Sequence, residues 1–188
     1  RLGLVNRLHT TPAVVSGFPD LWGKFRPDAR QVPDTEVLDL EAGAHDLVIH
    51  ALALHWADDP VGQLVQCRRA LKPDGLLICA TFGGATLAGL RQALAQAEAE
   101  VSGGLSPRVV PMGELRDLGG LLQRAGFSLP VADSLPFDVS YANLFRLMAD
   151  LRAMGETNAL ADRYRAPPPR QLFLRAAELY ALAEGREG

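Results

Sequence analysis

This sequence has few of the residues from which metal and disulfide sites are built. Its 188 residues include only two cysteines and four histidines, and none of them form a spaced Cys/His set typical of a metal site. We therefore expect no bound metal. Cys67 and Cys79 lie in a predicted helix and a predicted strand, where cysteine usually packs as a small buried side chain.

Long apolar runs and a strong charge of one sign are also absent from the sequence. No run of about 18 apolar residues occurs, so no transmembrane span is expected. The formal net charge of −3 gives no indication of a nucleic-acid partner, because such proteins normally carry a basic surface. With 48% apolar and 22% charged residues, the composition is that of an ordinary globular protein. We expect a single domain over residues 1–188 and a cytoplasmic location.

Residues 44–82 have the pattern of a strand, a helix and a second strand. The first strand is the short, β-branched run around Leu47-Val48-Ile49, which predicts burial on both faces of a parallel sheet. Asp59 and Pro60 form a helix start, because aspartate accepts free N–H groups and proline tolerates the first helical position. Residues 73–75 predict a turn, and residues 76–82 the second strand. This order indicates a right-handed crossover.

Four residues follow these two strands and fall where an open α/β sheet binds its ligand, beyond the carboxyl ends of the strands. His55 and Trp56 are candidates for ligand contacts. In the alternative, Trp56 caps the core and a backbone carbonyl satisfies His55. Gly83 and Gly84 indicate a tight strand-to-helix turn, which is compatible with a binding loop.

The remaining segments are predicted from the same kinds of pattern. Hydrophobic spacing and turn residues predict a helix end in residues 1–11, a strand over 13–15 that ends at Ser16-Gly17, a helix over 18–25, a strand over 29–32, and helices over 87–97, 112–125, 142–154 and 170–184. Gly126 is expected to end the helix before it. Alternation over 127–141, broken by two prolines, predicts one or two edge strands.

The strand that ends in LHW, followed by a helix and by LKPDG before the next strand, resembles the class I S-adenosylmethionine (SAM)-dependent methyltransferases of type 11. Later segments sharpen this resemblance. They are similar to the bacterial relatives of mitochondrial complex I assembly factor 5 and, more distantly, to the malonyl carrier-protein methyltransferase of biotin synthesis: FGGATLAGLR (82–91), GGLSPRVVPMGELRDLGGLLQRAGF (103–127) and LFRLMADLRAMGETNAL (144–160). The resemblance covers about residues 46–180.

For the fold, the resemblance implies an α/β, Rossmann-like architecture with a mostly parallel sheet and helices on both faces. The short interval between Gly17 and Asp46 implies a reduced N-terminal half. Family members run past the position of Gly188 into another strand, so we expect a sheet without that strand or a chain that continues further. The sequence starts at Arg1 instead of methionine, so it does not establish whether other residues precede Arg1 in the protein.

For the cofactor, the resemblance implies SAM, with its adenosyl group across Ser16, Gly17, Asp34 and the segment Leu54-His55-Trp56. Asp34 is the candidate acid for the ribose hydroxyls, and Glu36 is the second candidate. A turn residue after Pro33 is the alternative interpretation of Asp34. Only Gly17 stands where family members have two or three glycines. The resemblance implies a small-molecule or protein methyl acceptor.

For the substrate, the residues that match family positions near its binding mouth are Gly83, Gly84, Thr86, Arg91, Ser106 and Arg108, under a loop over 101–111. Arg91 and Arg108 could bind an anionic group bidentately, with a solvated helix face as the alternative for Arg91. We find no paired carboxylates and no nucleophile with its base. The absence of these groups is compatible with methyl transfer, because the sulfonium of SAM carries the reactive chemistry.

The assembly-factor resemblance implies two alternatives to methyl transfer. One is arginine hydroxylation on a respiratory-complex subunit, within the same fold. The other is a scaffold or assembly factor for a membrane complex, in which Phe18 and Trp22 close the cofactor pocket.

Overall fold

The computed structural model describes residues 10–183, so the helix end predicted for residues 1–11 lies almost entirely outside the described residues. In chain order the elements are β1 (Pro12–Ser16), α1 (Pro19–Phe25), β2 (Arg30–Pro33), β3 (His45–Ala51), a 3-10 turn (Leu54–Trp56), α2 (Pro60–Ala70), β4 (Leu71–Ala80), α3 (Ala88–Ser102), α4 (Leu115–Arg124), α5 (Leu144–Ala153) and α6 (Arg170–Ala183).

The four strands form one parallel sheet in the order β2-β1-β3-β4. β1 pairs with β2 on one side, with Val15 opposite Val32, and with β3 on the other, with Val14 opposite Ile49. This arrangement confirms the predicted α/β class and its parallel sheet. Within the described residues no strand follows β4.

Helices cover both faces of the sheet, as predicted, because successive side chains of each strand point to opposite faces. One face carries Val15 and Val48, which pack with Cys67 of α2. The opposite face carries Val14 and Ile49, which pack with Trp22 of α1. The strands β1 and β3 are therefore buried on both sides, whereas β4 is partly exposed.

The predicted start of α2 is confirmed. A carboxylate oxygen of Asp59 accepts the N–H of Gly62 at 2.9 Å, and Pro60 occupies the first turn. A Cβ on Gly62 would lie 2.3 Å from an oxygen of that carboxylate, so the Asp59 side chain would have to shift to accommodate any larger residue there. The segment with the predicted turn at residues 73–75 lies within β4, which already begins at Leu71: its register against β3 is irregular there, and Asp74 has a φ of +61°.

The chain divides into two compact units. The first comprises the residues up to Gly84 together with Met112–Ser134 and contains the whole sheet; the second comprises Ala85–Pro111 and the residues from Leu135 onward. In the second unit, α3, α5 and α6 share a core that includes Leu90, Leu94 and Ala97. The expectation of a single domain stays a prediction.

The edge strands predicted over 127–141 are wrong. Gly126 ends α4 with a φ of +86°, as expected, but the described structure has no strand between α4 and α5. Apolar side chains along this segment are exposed, up to 91% at Leu129. Alternation indicates a strand only when a neighbour accepts its hydrogen bonds, and Pro130 and Pro136 have no N–H to donate.

Candidate cofactor site at the carboxyl ends of the strands

The chain leaves β1 toward β2 on one side and reaches β3 on the other, so the strand order reverses between β1 and β3. In open parallel sheets, ligands bind outside the carboxyl ends of the strands at this reversal. Ser16 ends β1 and Ala51 ends β3. All the cofactor candidates from the sequence belong to the first unit, which contains this edge.

The turn after β1 leaves space next to its backbone. The buried Ser16 hydroxyl accepts the N–H of Phe18 at 3.1 Å, and its carbonyl accepts the N–H of Asp34 at 3.1 Å. A Cβ on Gly17 would meet no atom within 4 Å. A ligand could therefore approach the Gly17 backbone closely, although only one glycine is present.

The two aromatic residues expected to close the pocket in the scaffold alternative have different surroundings. The Phe18 side chain is 49% exposed. Trp22 is a residue of α1 and packs against the sheet. The centroid of its ring lies 6.4 Å from that of Phe25, in an edge-to-face arrangement. Trp22 thus contributes to the core of the first unit, whereas Phe18 remains accessible beside Gly17.

Asp34 follows β2 directly and is half-buried. Its Oδ1 accepts a hydrogen bond from the side-chain amide of Gln63 at 3.3 Å, and the same amide donates to the carbonyl of Thr35 at 3.0 Å. Among residues 10–183, no hydrogen bond reaches Oδ2. Glu36, the second candidate, is exposed and accepts the N–H of Asp58 at 2.8 Å.

His50 lies in β3 and is fully buried. Its Nε2 lies 2.8 Å from Oε1 of Gln63. Burial lowers the pKa of His50, and the hydrogen bond with Gln63 and the charge of Asp34 only partly oppose this. The ring is therefore neutral near pH 7. Sequence reasoning missed Gln63, because only the packing of α2 on the sheet brings it to His50.

The Leu54–Trp56 turn lies between the end of β3 and the start of α2. The Leu54 side chain is buried with Leu64 of α2, so only its backbone could contact a ligand. His55 is half-buried: its ring lies 5.6 Å from that of Trp56 and 5.0 Å from that of Phe82. Its Nδ1 is 3.4 Å from the hydroxyl of Thr81. Thr81 and Phe82 therefore also lie at this edge of the sheet. Sequence reasoning missed them, because a threonine and a phenylalanine after a strand do not by themselves indicate a site.

The predicted tight turn at Gly83 and Gly84 is confirmed. The N–H of Gly84 donates to the carbonyl of Gly113 at 2.9 Å, with a φ of +54°. A Cβ on Gly83 would lie 3.1 Å from that carbonyl and 3.1 Å from Leu118. These contacts make Gly83 a packing requirement. A Cβ on Gly84 would meet nothing within 4 Å, and glycine is favoured there by the positive φ instead. A role in substrate binding stays a prediction.

Thr86, Arg91, Ser106 and Arg108 lie in the second unit. Arg91 does not present a solvated helix face, which corrects that alternative: its guanidinium is half-buried and donates to the carbonyls of Thr86 at 3.4 Å and Val110 at 3.3 Å. A guanidinium held between two carbonyls supports the local backbone of this unit.

Ser106 and Arg108 meet at the carboxylate of Glu98, whose side chain is 7% exposed. Ser106 donates its N–H at 3.0 Å and its hydroxyl at 2.7 Å, while Arg108 donates through Nε at 3.1 Å and Nη2 at 2.5 Å. Burial raises the pKa of Glu98, but these hydrogen bonds outweigh it and hold the pKa below its usual value. Arg108 is thus already paired bidentately.

Other reactive groups are shielded or missing from the part of the chain that the structure describes. Burial raises the pKa of the Cys67 thiol to about 12 and that of Cys79 to about 11. In residues 10–183 no group of three or more His, Cys, Asp or Glu side chains could hold a metal ion. Over the same residues, no helix combines the length and apolar character that crossing a bilayer requires.

Several known proteins are similar in sequence to this chain. Residues 21–79 match the family model described as a methyltransferase domain. The chain is 42% identical over 154 residues to the mouse protein named arginine-hydroxylase NDUFAF5, mitochondrial, which covers 82% of this chain and 45% of that protein. Its zebrafish (Danio rerio) counterpart is 39% identical over 184 residues, covering 98% and 57%.

A second group of relatives carries a methyltransferase name. The malonyl-[acyl-carrier protein] O-methyltransferase of Xylella fastidiosa is 37% identical over 156 residues, covering 83% of this chain and 51% of that protein. The chain spans about half the length of these relatives. Among solved structures, the S-adenosylmethionine-dependent methyltransferase of Mesorhizobium loti is similar, with 14% identity, a TM-score of 0.45, and coverage of 79% of this chain and 83% of that one.

Proposed function

We propose, from the match of residues 21–79 to a methyltransferase-domain model, that this chain binds SAM and transfers the methyl group to an acceptor. The observation that carries the proposal is the combination, at the strand-order reversal, of an open glycine turn and a carboxylate. A Cβ on Gly17 would meet nothing within 4 Å, and Asp34 stands at the end of the neighbouring strand.

The residues present fit an adenosyl group. The Gly17 backbone would lie against the ligand, and Asp34 Oδ2 would accept from a ribose hydroxyl. His55 and Trp56 would line the site from the turn after β3. When bound, SAM supplies an electrophilic methyl group on its sulfonium, so the protein's task is mainly to align donor and acceptor.

Isothermal titration of the chain with SAM and with its demethylated product tests this proposal. We expect a Kd below about 100 μM, equivalent to about 5.5 kcal/mol. Gly17→Val should abolish binding, because its side chain would fill the open space beside the turn. Gly104→Val is the matched control, since a Cβ there also meets nothing within 4 Å and lies in the second unit.

Binding that is absent at millimolar SAM would contradict the transferase proposal and favour the scaffold. Normal binding by Gly17→Val would remove Gly17 from the site and leave the proposal without its main support.

A second candidate function is hydroxylation of a protein arginine. It is favoured by the 42% identity to a protein named as an arginine hydroxylase. This candidate implies that the partner is a respiratory-complex subunit. The transferase candidate implies that a small molecule or a protein accepts the methyl group. Mass spectrometry of partner proteins, compared with a deletion strain, would reveal the gain of one oxygen. A gain that persists in the deletion strain would exclude this chain as the hydroxylase. For either candidate function, the cytoplasmic location expected from the sequence stays a prediction.

A further inference from the structure

We propose that Gln63 is a positioning residue of the cofactor site: braced by His50, its side-chain amide orients the Asp34 carboxylate for the nucleoside of SAM. This inference rests on the proposed function. It concerns a residue of α2 that contacts the site only through Asp34 and the backbone of Thr35.

The direction of the hydrogen bonds follows from the chemistry of the groups. The Asp34 carboxylate and the Thr35 carbonyl are both acceptors, so the NH2 group of Gln63 must face them and donate both of its hydrogens. Its carbonyl oxygen then faces His50, 2.8 Å away, which must donate from Nε2. The chain of donors therefore runs from His50 through Gln63 to Asp34.

Burial makes this chain rigid. Gln63 is 1% exposed and His50 is 0% exposed, so water does not compete for the amide. Among the described residues, the Nδ1 of His50 is buried without a hydrogen-bond partner. Buried polar groups are costly unless paired, and apolar side chains at these two positions would avoid that cost. A polar chain retained here, ending on a half-buried carboxylate, is consistent with a role in binding.

The consequence for Asp34 is a defined orientation. Gln63 occupies Oδ1, whereas no hydrogen bond from residues 10–183 reaches Oδ2. Fixing a carboxylate before the ligand arrives lowers the ordering cost of binding. We infer that Oδ2 is the atom presented to the hydroxyl or amino groups of the nucleoside.

The experiment compares Gln63→Met with Gln66→Met. Gln66 lies one turn further along α2 and also makes two hydrogen bonds to the segment after β2, accepting the N–H of Leu38 at 2.8 Å and donating to the carbonyl of Glu36 at 2.8 Å. Each variant loses two hydrogen bonds to the segment after β2, but only Gln63→Met loses the contact with Asp34. The thermal midpoints of both should fall.

Titration with SAM separates the two roles. We expect Gln63→Met to weaken binding about 10-fold, as for loss of a hydrogen bond to a charged group, and Gln66→Met to weaken it by less than about 2-fold on the same reasoning. In an Asp34→Ala background, Gln63→Met should have no further effect, because its action runs through that carboxylate.

Gln63→Glu gives a second readout if Gln63→Met does not fold. The new carboxylate would repel Asp34 above its pKa, whereas its protonated form could again donate a hydrogen bond. SAM affinity of this variant should therefore improve as the pH falls, unlike that of the wild type.

Each outcome has a distinct meaning. A wild type that does not bind SAM overturns the proposed function and this role together. Wild-type binding with equal affinities for Gln63→Met and Gln66→Met overturns only the positioning role, and so do additive effects in the double variant. For Gln63→Glu, the role is overturned by a pH profile parallel to that of the wild type.

Discussion

The carboxylate of Glu98 is expected to be the largest single electrostatic contribution to the stability of the second unit. Its side chain is 7% exposed and accepts four hydrogen bonds from Ser106 and Arg108. Glu98→Ala would leave the Arg108 guanidinium, whose side chain is 16% exposed, without this partner. Breaking a buried pair in this way costs about 3–5 kcal/mol.

The lower end of this range is the appropriate expectation, about 3 kcal/mol, because Arg108 can turn toward water when Glu98 is lost. Urea unfolding followed by far-ultraviolet circular dichroism is the assay, since both tryptophans, Trp22 and Trp56, lie in the first unit and fluorescence would report mainly on that unit. The midpoint for Glu98→Ala should fall clearly below that of the wild type.

Glu100→Ala is the matched control on the same helix. Glu100 pairs with Arg175 at 2.6 Å, but both side chains are exposed, and exposed ion pairs contribute little. Its midpoint should hardly move. The pKa of Glu98 is lowered in the fold, so its contribution is present above about pH 4.5 and is lost as the pH falls through the folded value. Equal midpoints for the two variants at neutral pH would refute this reasoning.

Two further predictions concern buried titratable groups of the first unit. Burial lowers the pKa of His50 below the usual histidine value of about 6.5, so the contribution of its neutral ring to stability is present above about pH 6.5 and is lost as the pH falls through the folded pKa. His50→Leu should therefore reduce the pH dependence of the urea midpoint between about pH 7 and pH 5, and an unchanged dependence would contradict the buried neutral ring. Because burial raises the pKa of Cys67 and Cys79 to about 12 and about 11, a thiol reagent at about pH 8 should label neither in the folded chain and both in urea; rapid labelling without urea would show that the thiols are accessible.

The parts of the fold that sequence patterns predicted are those that depend on neighbours along the chain. The buried run of β3, the Asp59 cap and the glycine end of α4 each rest on a few consecutive residues, and the structure confirms them. The strands predicted over 127–141 are wrong because a strand also requires a partner, which alternation does not specify.

The details of the site depended on contacts between distant segments. Gln63 reaches His50 and Asp34 only because α2 packs on the face of the sheet formed by Val15 and Val48. Matching family positions indicated that Arg91 and Arg108 could bind an anionic group, whereas their partners are two carbonyls and a carboxylate of the second unit. Residue types alone could not reveal that Nη2 of Arg91 and both Nε and Nη2 of Arg108 already donate to these groups.

The most direct measurement of the central claim is a crystal structure of the chain soaked with SAM. The account predicts an adenosyl group at the carboxyl ends of β1 and β3, against the backbone of Gly17, with Oδ2 of Asp34 within hydrogen-bond distance of the nucleoside. A SAM molecule bound elsewhere, or a saturating soak that leaves this edge empty, would contradict it.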